Sequence, residues 1–143
     1  MFDTVNIKIK QIENGILPIY KREGDVCMDC FARKQVLVMA GKRSTVPLGF
    51  ALELPAGYEA VIRPRSGLSK DGIDEVIGTI DTNYRGEVMA CIINNSEKDF
   101  QIEAGDRICQ LAVREVPQVT LQLVSQLSET ERGENGFGSS GMR

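Results

Sequence analysis

The chain has no histidine among its 143 residues. That absence excludes an imidazole base, zinc chemistry of the H-E-x-x-H kind and the Ser-His-Asp arrangement, so an acid–base catalyst must be a carboxylate, lysine, tyrosine or cysteine. Positive charge is also in short supply, with 17 Lys and Arg against 20 Asp and Glu, a net charge of −3. Without a broad basic field the chain is not expected to hold a nucleic-acid backbone, although a few converging arginines suffice for a small anion. No apolar run approaches membrane-spanning length, and the segment from Met1 to Lys8 lacks the charged start and apolar stretch of a signal peptide. The expectation is a soluble cytoplasmic protein with no membrane partner.

A long amphipathic helical period is missing too. Short β-rich runs take its place at residues 5–10, 36–39, 45–54, 58–63, 86–94, 99–103, 107–116 and 119–123. Turn-forming residues divide them at Pro55-Ala56-Gly57, Asn94-Asn95-Ser96-Glu97 and Ala104-Gly105-Asp106. With 42% apolar residues, enough to bury a core, this pattern predicts one all-β domain, a barrel or jelly roll with a short helix beginning near Gly67.

Four cysteines are present, two of them in a C-x-x-C pair, Cys27 and Cys30. Zinc or redox chemistry would suit that spacing, but Cys91 and Cys109 stand singly in apolar, strand-like runs. Four reduced, packing cysteines are the better expectation. After Ser125 the chain turns polar and then glycine-rich, and Gly136–Gly141 literally matches G-x-G-x-x-G. A dinucleotide fingerprint must follow a strand and open a helix, which this stretch does not, so only its simpler physics survives. Glycines expose backbone N–H groups that can wrap an anion, and Arg132, Ser139 and Ser140 add donors.

Several polar motifs are ambiguous one at a time. Pro64-Arg65-Ser66-Gly67 reads as a turn with a surface arginine, Gly105-Asp106-Arg107 as a hairpin turn, and Asp81 as a turn-former after an apolar strand. Together and in order, they resemble the trimeric dUTP diphosphatases. The segments are Val26-Cys27-Met28-Asp29-Cys30, Arg63-Pro64-Arg65-Ser66-Gly67-Leu68-Ser69, the stretch from Gly78 to Gly86 around Asp81, Ala104 to Leu111, and Arg132 to Gly141.

The resemblance implies a jelly-roll subunit over residues 1–125, a homotrimer, and a flexible arm over residues 126–143 that closes a neighbour's site. It further implies that dUTP is hydrolysed to dUMP and diphosphate with Mg²⁺, lowering dUTP and supplying dUMP for dTMP synthesis. Asp81 would be the general base, and an ordinary aspartate is ionised at neutral pH and can accept a proton without tuning. Arg65, Ser66, Gly67 and Gln110 would hold phosphates or the attacking water, and Asp29 would orient waters on Mg²⁺ from outside its coordination shell. Thr79, Ile80 and Met89 would line the nucleoside pocket and Tyr84 would pack on deoxyribose. The arm would bring Arg132, Gly136, Phe137, Gly138, Ser139 and Ser140, with Phe137 stacked over uracil.

Two departures stand out. Val26-Cys27 replaces the family's usual Ala-Gly in the first motif. Glu75 occupies the place of an asparagine in base recognition, and an acceptor-only carboxylate there would suit a cytosine amino group and allow some use of dCTP. dCTP deamination, a related chemistry, needs a glutamate where this chain has Cys91.

Overall fold

A computed structural model describes residues 3–143 of the chain. Among the described residues, eleven strands and one short helix make up the regular structure. In order they are β1 (Lys8–Gln11), β2 (Met28–Phe31), β3 (Val36–Val38), β4 (Arg43–Pro47), β5 (Phe50–Glu53) and β6 (Tyr58–Arg63), then α1 (Ser66–Ser69), β7 (Ile73–Glu75), β8 (Gly78–Ile80), β9 (Met89–Asn94), β10 (Phe100–Ile102) and β11 (Arg107–Glu115). All the pairings are antiparallel. They give the sheets β2-β11-β6-β8 and β4-β9-β7 and the pairs β1-β5 and β10-β3, so the fold is the expected all-β jelly roll.

The core follows from period-2 alternation. Along β9, Ala90, Ile92 and Asn94 point inward, while Cys91 and Ile93 are only partly covered. Asn94 is tolerated at zero exposure because its amide donates to the carbonyls of Val38 (2.9 Å) and Lys98 (2.8 Å), and its oxygen accepts from Ser96. A register shift between Arg107 and Cys109 explains why the consecutive residues Ile108 and Cys109 are both buried on β11. Phe50, Leu48, Ile62, Ile102 and Leu111 fill the space between the sheets.

The structure redraws several expected elements. The apolar run at 45–54 is two strands, broken at Gly49, whose φ of 80° is open to glycine at little cost. Gly15 packs against the Gly49 backbone so closely that a Cβ at Gly15 would collide with it. Strands β2 and β7 are additional to the expected runs, and 119–123 forms no strand. β11 is the last strand, and from Pro117 onward the chain is exposed. All four cysteines are free, with Cys30 and Cys109 directly opposite each other across β2 and β11.

Candidate active site

Two separate clefts carry the polar residues singled out in the sequence. The first, of about 380 Å³, is lined by Lys21, Arg22, Asp25, Val26, Cys27, Asp29, Arg65, Ser66, Gly67 and Gln110. Strand pairing builds it: Gln110 of β11 lies between Asp29 of β2 and Arg63 of β6, which brings the first, second and fourth motifs side by side. Gln110 donates through Nε2 to the Pro64 carbonyl at 2.9 Å, which holds the chain leading into Arg65. Arg65 donates to the Arg107 carbonyl at 2.8 Å.

Asp29 sits between two guanidinium groups. Arg65 Nε is 3.9 Å from Oδ1 and Arg107 Nε is 3.7 Å from Oδ2. Arg107 in turn lies over the Phe31 ring, 5.6 Å from its centroid. Among the described residues no three His, Cys, Asp or Glu side chains converge on a metal position. This donor set does not make a protein cage, but it fits an ion carried by phosphates, with water between the ion and Asp29.

The second cleft, of about 250 Å³, is lined by Ile62, Gly78, Thr79, Ile80, Asp81, Tyr84, Glu87, Val88 and Met89. Strand β8 is the edge of its sheet, pairing only with β6, so one side of its backbone has no ladder partner and is available to a ligand. Asp81 follows directly at the strand end and is exposed. Tyr84 folds back so that its hydroxyl donates to the Glu87 carbonyl at 2.9 Å. Gly86 permits this, because a Cβ there would collide with the Tyr84 ring.

Glu87 anchors the same loop. Arg33 donates to both of its carboxylate oxygens, at 2.8 Å and 3.1 Å, and the Gly49 N–H donates at 2.9 Å. These bonds hold the Glu87 carboxyl below the usual carboxylate range, with the Arg33 hydrogen bond the main cause.

Glu75 is not on the lining of this cleft. Alternation along β7 places it inward with Ile73, and it is 6% exposed, with Oε2 buried and unpartnered. Burial pushes its carboxyl up to about 8. At neutral pH it is therefore mostly a protonated acid that can donate as well as accept. The expected acceptor-only carboxylate, and the argument for cytosine built on it, do not describe the residue in this fold.

The arm joins neither cleft. Arg132, Gly136, Phe137, Gly138, Ser139 and Ser140 surround a hollow formed with Gly141 alone. Among the described residues their hydrogen bonds stay local, as in Ser139 N–H to the Gly136 carbonyl and Arg132 Nε to the Asn135 carbonyl. Phe137 is fully exposed.

The structure thus brings Asp29, Arg65, Ser66, Gly67 and Gln110 together, gathers Thr79, Ile80, Asp81, Tyr84 and Met89 elsewhere, and leaves the arm apart. Sequence reasoning missed Lys21, Arg22 and Arg107. Arg107 was visible within the fourth motif, but Lys21 and Arg22 precede every motif.

An all-β jelly roll with one cleft rich in cations and one small, edge-strand cleft ending in a carboxylate is an arrangement suited to a small anionic ligand with a polar ring. The dUTPase family model matches residues 13–141. A deoxyuridine 5'-triphosphate nucleotidohydrolase of Clostridium tetani is 41% identical over 141 residues, covering 96% of this chain and 97% of the relative. Among solved structures, the dUTPase of Staphylococcus bacteriophage 80alpha with dUPNHPP superposes with a TM-score of 0.91 at 26% identity, over 96% of this chain and 99% of that one. A dUTPase from phage phi11 of S. aureus, described as coordinating a structural Mg(II) ion, shares the fold at 21% identity and a TM-score of 0.80, over 85% of this chain and 98% of that one. The chain belongs to the dUTPase family.

Proposed function

We propose that this chain hydrolyses dUTP to dUMP and diphosphate as a homotrimer, with Asp81 activating the water. The enzyme is a dUTPase, a hydrolase of nucleotide metabolism. Its product would supply dUMP for dTMP synthesis while keeping dUTP low. Among the described residues no helix is long and apolar enough to cross a membrane.

Each role follows from what a residue can do at its place. Uracil enters the β8 cleft, where the unladdered backbone of Gly78–Ile80 reads its polar edge and Met89 packs on the base. The Tyr84 ring packs against deoxyribose, where a ribose hydroxyl would meet it. Asp81 takes a proton from water as the water oxygen attacks the α-phosphorus, and the bond from that phosphorus to the bridging oxygen breaks, releasing diphosphate.

Arg65, Ser66, Gly67 and Gln110 hold the phosphates and the water from their own cleft. Most of the acceleration then comes from positioning and from charge placed in advance. When bound with the triphosphate, Mg²⁺ would neutralise charge on it, and Asp29 would accept from the waters around the ion. Arg132, Ser139 and Ser140 grip the terminal phosphate, and Phe137 covers uracil as the arm closes and excludes water.

The division of the site carries this reading. The Asp81 cleft and the Arg65 cleft share no lining residue, and the arm touches neither, which supports a site completed by more than one copy. In the exposed chain before the arm, the alternating Val119, Leu121 and Leu123, at 75%, 90% and 99% exposure, also present an apolar edge.

The test is complementation. Asp81→Asn alone and a protein lacking residues 132–143 alone should both be nearly inactive. Mixed by unfolding and refolding together, they should regain diphosphate release in those sites that draw a normal Asp81 and a normal arm from different chains. Mixtures no more active than the sum of their parts would refute the shared site.

A further inference from the structure

The phosphate cleft holds two cations that no acidic group claims. Lys21 and Arg22 line it with Arg65, yet among the described residues neither enters an ion pair or a side-chain hydrogen bond. Their backbone, by contrast, is fixed. The Arg22 N–H donates to Asp25 Oδ2 at 3.0 Å, the Asp25 N–H donates to the Arg22 carbonyl at 3.3 Å, and Gly24 closes the turn with a φ of 88°. Arg65 is more committed, with Nη1 on the Arg107 carbonyl and Nε facing Asp29.

Charge decides what these residues do. The lining carries three cations, Lys21, Arg22 and Arg65, against the carboxylates of Asp25 and Asp29. Arg65 and, from just outside the lining, Arg107 are both drawn to Asp29, so Lys21 and Arg22 supply the cleft's uncommitted positive charge. Surface cations of this kind are ordinarily solvated, and these two differ in lining a concave site on an anchored turn.

We infer that Lys21 and Arg22 are phosphate-binding residues that hold the diphosphate half of the substrate and set the preference for a triphosphate over a monophosphate. The inference rests on the proposed reaction and adds two residues outside the family motifs. Being exposed, they act through screened attraction, so their contribution falls with ionic strength.

The experiment compares wild type with Lys21→Met/Arg22→Met and with the charge-preserving Lys21→Arg/Arg22→Lys. It measures kcat and KM for dUTP at low and high salt, and binding of dUMP and of inorganic tripolyphosphate by calorimetry. At low salt the methionine pair should lose roughly 5- to 30-fold in kcat/KM, mainly through KM, the effect of about 1–2 kcal/mol from two exposed charge contacts. Tripolyphosphate binding should weaken in step, dUMP binding should hold, much of the salt dependence of KM should vanish, and the charge-preserving pair should behave like wild type.

An unchanged KM and salt dependence in a folded methionine variant would overturn the assignment. So would equal losses for dUMP and tripolyphosphate, which would mark a structural role. A wild-type protein that binds tripolyphosphate through these residues but does not turn over dUTP would instead refute the proposed reaction and leave the anion site standing.

Discussion

Replacing Glu75 with glutamine removes a buried acid that titrates in the folded protein at about 8 and, once unfolded, near its ordinary 4.5. Between those values the unfolded chain releases the proton while the folded chain keeps it. Stability from this group is therefore complete below 4.5, declines as pH rises, and is gone above about 8. At about 1.4 kcal/mol for each tenfold change in proton affinity the ceiling is roughly 5 kcal/mol. Relaxation around the charged form and water reaching the less covered oxygen reduce this to an expected 2–3 kcal/mol, roughly half.

Glutamine fills nearly the same volume and does not titrate, so other ionisable groups cancel between the two proteins. Thermal unfolding followed by circular dichroism at pH 5 and pH 8.5 reads the difference. Glu75→Gln should gain about 5–10 °C on wild type between the two pH values, at roughly 2–4 °C per kcal/mol for a chain near this size. The same gap between the proteins at both pH values would mean that Glu75 finds a partner or solvent and is ionised throughout, and the account of its burial would be wrong.

Asp81→Asn should lower kcat by several orders of magnitude while binding a non-hydrolysable dUTP analogue about as well as wild type, as single-turnover and calorimetric measurements would show; normal turnover would remove Asp81 as the base. Deleting residues 132–143 should leave the molecular mass of the assembly in light scattering at three chains but depress turnover strongly, and full activity would refute the closing arm. Gly86→Ala should displace the Tyr84 ring, raise KM for dUTP and narrow the preference for dUTP over UTP, because the ring packs where the ribose hydroxyl would lie. Arg33→Met should lower the midpoint of denaturant unfolding, since it leaves Glu87 without its bidentate partner, and an unchanged midpoint would refute that role.

How much of this was legible in the sequence depended on whether a signal was local. The alternation in β6, β9 and β11 reads directly, because one face of each strand meets the core and the other does not. β2 and β7 were not legible as strands, because each is defined by the partner it finds across its sheet, whereas the apolar strand read before Asp81 is β8. At 119–123 the same alternation misled, because it reports a surface suited to pairing and, among the described residues, no strand pairs with it.

The site divides along the same line. Asp81, Arg65 and Gln110 could be singled out because each stands inside a motif whose order carries information beyond its residues. Lys21 and Arg22 belong to no motif, and only the pairing of β2 with β11, which opens the cleft beside their turn, gives two ordinary surface cations a common target. Glu75 shows the converse limit. Its place in the chain was legible, but its protonation is set by burial on the inner face of β7, and burial is a property of the packed sheets rather than of the residue. A carboxyl on the inner face of a strand can thus carry both a donor and an acceptor, so long as the fold keeps it dry.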